Sequence, residues 1–288
     1  MGQVRRLAVA LALIAGFMVV EFVGAVLSGS LALMSDAGHM ATDALGLGMA
    51  LAASVAAERA SADTRRTYGL YRLEILAALA NAVLLLAVAG YVVFEAVGRF
   101  GNPPEVMTGS MLAIALVGLV VNLVAWRVLS GGRSRPLNLE AASLEVVADT
   151  IGSVAVVAAA VTITLTDWWI VDPVLGAAVG LYVVPRAVRI GRRAIAILVE
   201  AAPRRVDVTM IGDQLAEIPG VVDVHDLHVW SLTSEMDIAT AHLMTTEETD
   251  PHAVLDRARA MLEANHGIAH ATLQVEPETH TGCSEVRW

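Results

Sequence analysis

The chain has 288 residues, of which 56% are hydrophobic and only 17% charged, yet its formal net charge is −10. A soluble domain of this size carries roughly 45–50% apolar and about 25% charged residues, so the composition excludes a disordered chain and points to a membrane protein. The acidic total weighs against a nucleic-acid partner, and the single cysteine, Cys283, excludes an internal disulfide framework or a Cys-rich zinc centre.

The charge is unevenly placed. Residues 1–199 hold 14 Arg and 13 Asp or Glu, a net +1, whereas residues 200–288 hold 5 Arg and 16 Asp or Glu, a net −11. Seven of the eight histidines also lie in the C-terminal part, His39 being the exception. Two domains in different solvents are expected: a transmembrane domain over residues 1–200 and a cytoplasmic domain over 201–288 that ends in a flexible tail.

A helical span needs roughly 20 mainly apolar residues. The sequence offers such stretches at Leu7–Val26, Leu31–Ala57, Ile75–Val97, Met111–Leu129, Ala141–Leu165 and Trp168–Ala187. The first follows Arg5 and Arg6 but is too long for a signal-peptide core and contains Glu21, so it reads as a retained helix. Arginines cluster before the first stretch, between the second and third (Arg59, Arg65, Arg66, Arg72), between the fourth and fifth (Arg127, Arg133, Arg135) and after the sixth (Arg186, Arg189, Arg192, Arg193, Arg204, Arg205). The opposite loops carry only Arg99. The positive-inside rule then places both termini in the cytoplasm of a multi-pass inner-membrane protein.

Beyond Pro203 the pattern is that of a small soluble domain. Val206–Ile218 has helical spacing and stops at Pro219-Gly220; Val221–Leu232 and Met236–Met244 read as strands, Pro251–Asn265 as an amphipathic helix and Ala271–Val275 as a last strand. The order αββαβ predicts an α+β, ferredoxin-like sandwich.

Ionisable groups inside a membrane are costly and mark functional sites. In the second span His39 and Asp43 are i and i+4 and share a helix face, with Asp36 on the same side; in the fifth, Glu145 and Asp149 repeat the spacing. Two helices, each offering two ligands, can close a four-ligand site whose imidazole and carboxylates suit a divalent first-row cation. Gly46, Gly48, Gly152 and Ser153 would let the helices approach closely. Polar contacts between helices are the plainer alternative. Glu21 and Glu74 admit two readings, translocation path or structural hydrogen bond, while Asn81 and Asn122 read as interhelical hydrogen-bond donors. No HExxH, nucleophile elbow or Cys/His pair is present, and four protein ligands would close a metal to hydrolytic water, so the chain does not read as an enzyme.

SLALMSDAGHMATD (30–43), YRLEILAALAN (71–81), LEVVADTIGSV (144–154), Asp172-Pro173, GVVDVHDLHVWSLT (220–233) and AHL (241–243), in this order, carry a resemblance to the cation diffusion facilitator family, specifically its bacterial zinc/cobalt/cadmium efflux branch. The resemblance runs from about Ala10 to Glu276. It implies six transmembrane helices, a cytoplasmic ferredoxin-like domain, a homodimer, no cofactor, and proton-coupled antiport of divalent metal out of the cytoplasm. It implies a transport site at His39, Asp43 and Asp149. The branch usually has His where this chain has Glu145, and it often carries a His-rich stretch before the fifth helix that is absent here. With three carboxylates and one imidazole, a bound divalent ion leaves one uncompensated negative charge. Oxygen in place of nitrogen also hardens the site. Zinc with relaxed selectivity is expected, extending to Co²⁺, Cd²⁺, Fe²⁺ or Mn²⁺.

In the C-terminal part, His225 and His228 lie on one predicted strand at odd spacing, which points them to opposite faces. A two-residue turn centred on Thr233-Ser234 would set His225 directly opposite His242. Such a pair is either a metal platform, to which Glu276 adds an oxygen from the last strand or from a partner subunit, or a pair of ordinary surface histidines. In the family, residues matching His225 and His242 often bind metal at the dimer interface.

Overall fold

The structure, a computed structural model, describes residues 3–42, 44, 68, 70, 72–130, 137–233 and 236–280, without the side chains of 3–8, 11 and 137–145. Asp43 therefore lies outside the described residues, and Glu145 is placed only as a backbone position in a helix. The chain divides into two compact units, one within 1–51 and 77–191 and the other within 52–76 and 192–288.

The first unit is helical. In chain order come α1 (Gln3–Ser28), α2 (31–42), α3 (Arg72–Arg99), α4 (Thr108–Ser130), α5 (Leu137–Thr166) and α6 (Val171–Leu198), the last of which ends in the second unit. Among the described residues four helical segments are long and apolar enough to cross a membrane: Arg72–Arg99, Thr108–Ser130, Val146–Thr166 and Val171–Leu198. In α1 the shorter stretch Ala12–Ser28 is apolar.

The helices are sorted by side-chain size. On α4 the buried stripe is Met111, Ala115, Gly118, Asn122, Ala125 and Leu129, while Leu116, Val117, Val120, Leu123 and Val124 face outward. A soluble bundle would bury those branched residues; an apolar solvent leaves close packing of small residues as the main force between helices. Leu165 is 78% exposed, and Phe94 and Tyr182 are each 77% exposed, which water would penalise. Within the unit α4 packs along both α1 and α5. Asn122 Nδ2 donates to Ser153 Oγ at 3.3 Å, the interhelical bond expected of that residue.

Only Gly29 and Ser30 separate α1 from α2. Gly29 takes φ +72°, the left-handed conformation that ends a helix without a Cβ penalty. Arg99, the lone arginine of its set of loops, donates to the Gly29 carbonyl at 2.7 Å and pairs with Glu95 at 3.0 Å. Its charge is used locally, at the carbonyl end of α1. Helix α6 runs past the apolar stretch that ends at Ala187, through Arg189, Arg192 and Arg193 to Leu198, with Pro185 inside it.

The second unit contains α7 (Val208–Ala216), β1 (Val221–Ser231), β2 (Asp237–Thr245), α8 (Pro251–His266) and β3 (His270–Pro277). Strand β2 is central, antiparallel to β1 and parallel to β3. A parallel neighbour requires a crossover, which α8 supplies. Both helices begin at aspartate caps: Asp207 accepts from the Thr209 and Met210 amides, and Asp250 from that of His252 with Pro251 next in line. Helix α8 stops at Gly267, φ +67°. Ile211, Leu215, Ala239, Ala241, Leu243, Val254, Ala258 and Leu262 form the core between sheet and helices. Burying each Leu or Ile there contributes about 1.5–3 kcal/mol.

Candidate metal centres

The C-terminal centre is built on the outer face of the sheet. Ala239, Ala241 and Leu243 of β2 enter the core, so alternation sends Thr240, His242 and Met244 to the other face. Across the ladder His225 pairs with His242; on the other side Gln274 pairs with His242 and Glu276 with Met244. Paired residues share a face, which gathers His225, His242 and Glu276. Their rings and carboxylate meet closely: the His225 and His242 ring centroids lie 5.2 Å apart, and His242 Nδ1 lies 2.9 Å from Glu276 Oε1. One ligand atom from each of the three residues lies within 4.8 Å of the others.

The surroundings prepare this group for a cation. Asp223 Oδ2 lies 3.0 Å from His225 Nδ1. Facing a carboxylate, Nδ1 carries the proton and Nε2 keeps its lone pair. His225 Nε2 is buried and makes no hydrogen bond among the described residues. Gln274 Nε2 donates to Glu276 Oε1 at 2.5 Å and helps orient that carboxylate. A buried imidazole nitrogen beside a second imidazole and a carboxylate is a donor set for a divalent first-row ion. The carboxylate behind the first ring is the outer partner that ligating histidines usually have.

The route to this arrangement differs from the sequence expectation in two ways. Ser231 pairs with Asp237, so the hairpin is offset by one residue from a turn centred on Thr233-Ser234. A register shift between His225 and His228 then absorbs the offset, leaving His225 opposite His242 and His228 opposite Thr240. Since His242 and Thr240 point the same way, His225 and His228 share a face and do not occupy opposite ones. Asp226, at φ +51°, sits within this bulge in a conformation that Asp tolerates better than most residues. From there its carboxylate lies 3.0 Å from His228 Nε2 and 3.9 Å from His242 Nε2. Asp223 escaped the sequence reading, although its i, i+2 spacing to His225 on a strand carried the signal. Glu276 meets His242 of its own chain.

The second group lies in the helical unit. His39, half-buried, stands on α2 and Asp149, 8% exposed, on α5. The two helices touch one turn away from these residues: a Cβ on Gly152 would lie 3.4 Å from Asp36 Oδ1, ordinary contact at its tight limit. Gly152 is thus the small residue that admits the Asp36 side chain against α5. Glu21 of α1 is 1% exposed, and its carboxyl approaches that of Asp36. Buried acids of this kind need protons, partners or a bound cation to neutralise them.

Comparison with known proteins agrees over nearly the whole length. Residues 7–199 match the model of the cation efflux transmembrane domain, and residues 203–278 that of the cation efflux protein cytoplasmic domain. The metal cation efflux system protein CzcD of Cupriavidus metallidurans is 42% identical over 276 residues, 96% of this chain and 87% of that protein. The zinc transporter ZitB of Escherichia coli is 40% identical over 274 residues, 94% of this chain and 87% of the relative. The cadmium, cobalt and zinc/H⁺–K⁺ antiporter of Bacillus subtilis is 38% identical over 273 residues, again covering 93% and 87%. The solved metal-bound C-terminal domain of the CzcD transporter aligns at 36% identity with a TM-score of 0.24, covering 25% of this chain and 99% of that one. Four apolar helical segments, a separate C-terminal sheet domain and these relatives together establish that the chain belongs to the cation efflux family, the cation diffusion facilitators, and is a membrane transporter of metal cations.

Proposed function

We propose that the protein exports divalent metal from the cytoplasm in exchange for protons, through an intramembrane site of His39, Asp43, Glu145 and Asp149. The observation that supports it best is the close approach of α2 and α5 at Asp36 and Gly152, one helical turn from His39 and Asp149. Metal ligands must lose their protons to bind, so metal and protons compete for one set of groups. Facing a neutral cytoplasm the site takes the metal; facing outward, protonation of His39 and the carboxylates releases it.

The rest of the reading follows from this assignment. Residues 1–200 form six membrane-spanning helices in the inner membrane with both termini cytoplasmic, an orientation that the arginine distribution supports. Residues 201–288 form a ferredoxin-like domain that pairs with a second copy. In that domain His225, His242 and Glu276 bind a regulatory metal ion that stabilises the dimer. No reaction other than transport is needed. Zinc is the principal cargo, consistent with the names of the relatives, and Glu145 widens the choice toward Co²⁺, Cd²⁺, Fe²⁺ or Mn²⁺.

Reconstitution into liposomes with a zinc dye and a pH dye tests the reading. Asp149→Ala and Asp43→Ala should insert normally and lose zinc-driven proton movement. Retained proton-coupled flux in either variant would falsify the site.

A further inference from the structure

Asp172, in the first turn of α6, is fully buried, and its carboxylate accepts hydrogen bonds from the start of another helix, α2. Ser30 Oγ donates to its Oδ1 at 2.5 Å, the Leu31 amide to Oδ2 at 2.7 Å and the Ala32 amide to Oδ1 at 3.2 Å. Those amides are the first of α2, which helix geometry leaves without partners inside the helix. Ser30 caps the same turn from within, accepting from the Leu33 amide at 3.2 Å. In an apolar solvent no water replaces these bonds, and a carboxylate is favoured at the positive end of a helix.

The contact continues along α6 at intervals of four residues. A Cβ on Gly176 would lie 2.9 Å from the Leu31 carbonyl carbon and 3.2 Å from the Ala32 nitrogen, which are backbone atoms that cannot swing aside. One on Gly180 would stand 3.7 Å from Ser35 Oγ of α2 and 3.6 Å from the Ala89 carbonyl oxygen of α3. Helix α6 therefore lies directly on the backbone of α2 at Leu31 and Ala32, with the carboxylate of Asp172 at the end of the seam.

His39 is seven residues beyond Ala32 on the same helix, roughly 10 Å along its axis. A slip of α2 by one residue against α6 turns every side chain on it by about 100°. We infer that Asp172 is a positioning residue for metal transport: it fixes the register of α2 on α6, keeps His39 aimed at the metal path, and makes the two helices move together. The inference rests on the assignment of His39 as a ligand.

The test uses the full chain in liposomes, with zinc uptake measured across concentrations and normalised to folded transporter. Asp172→Ala should raise the KM for Zn²⁺ about tenfold, with kcat changed less than about threefold. Asp172→Asn keeps one acceptor oxygen and should fall between wild type and Asp172→Ala; Ser30→Ala should shift KM the same way by less. If Asp172→Ala does not fold, the other two variants carry the test. An unmoved KM in Asp172→Asn and Ser30→Ala, with uptake only tracking the amount of folded protein, overturns the inference. His39→Ala, measured in parallel, separates the two readings. Full uptake in that variant overturns the ligand assignment and this inference with it. Loss of uptake there, with KM unmoved in the cap variants, overturns this inference alone.

Discussion

His225 stands directly opposite His242 across the β1–β2 ladder, and Asp223 holds the outer nitrogen of His225 at 3.0 Å. With Nδ1 held by the carboxylate, the buried Nε2 is the nitrogen left to bind a cation. Removing an outer partner of this kind costs roughly 10–100-fold in metal affinity. Asp223→Ala in the full-length protein should weaken zinc binding at the candidate C-terminal site by about that factor, and His225→Ala should weaken it further. Competition with a zinc dye, with the intramembrane site followed separately by transport, measures both. Equal zinc affinity for Asp223→Ala and wild type refutes the orienting role.

Gly152 offers a steric test of the helix contact. A single methyl there would meet Asp36 Oδ1 at 3.4 Å, which a small shift relieves, whereas a branched side chain adds two more carbons at a contact already at its limit. Gly152→Ala should retain most zinc transport. Gly152→Val should wedge α5 from α2 and lose at least about tenfold in kcat/KM. Uptake by both variants in liposomes decides the point; full activity in Gly152→Val would mean that α2 and α5 do not need this contact.

The legibility of the chain differed between its halves for physical reasons. The helical stretches were visible because a membrane leaves them long and apolar, and the acid pairs because ionisable groups stand out in that background. Helix α6 continues to Leu198, beyond the apolar stretch that ends at Ala187, because arginines such as Arg189, Arg192 and Arg193 do not stop a helix. Strand positions were read within a residue or two, and the His225–His242 pair emerged correctly. The faces of His225 and His228 did not, because a β-bulge at Asp226 is a tertiary feature with no fixed residue signature. Asp172 showed only as part of a short motif; its partners lie some 140 residues earlier, at Ser30, Leu31 and Ala32.

Under the proposed site, Glu145 bears on selectivity. With His39, Asp43 and Asp149 it would make a donor set of three carboxylates and one imidazole, harder than two of each. Glu145→His should raise the preference for Zn²⁺ over Mn²⁺ by about tenfold, mainly by weakening Mn²⁺ uptake. The measurement is competitive uptake of the two ions in the same vesicles. An unchanged ratio means that selectivity is set elsewhere.

The charge of the C-terminal part gives the last prediction. Its net −11 over residues 200–288 contrasts with +1 over residues 1–199, so the acidity of the protein is concentrated in one domain. Glu247, Glu248, Asp256 and Glu263 are exposed and lie outside the ligand cluster at His225, His242 and Glu276. A surface of one sign raises the local concentration of counter-ions, and the effect fades once the Debye length shrinks below about 10 Å near 0.1 M salt. Replacing all four acids by Gln or Asn should therefore lower zinc uptake at low ionic strength and limiting metal, by about twofold to threefold, and leave it unchanged in 0.5 M salt. A structural effect of the substitutions would persist at both ionic strengths. The quadruple variant, assayed at both, separates attraction of the metal by the domain from any effect on its folding; uptake indifferent to the substitutions at low salt removes the domain's charge from the transport pathway.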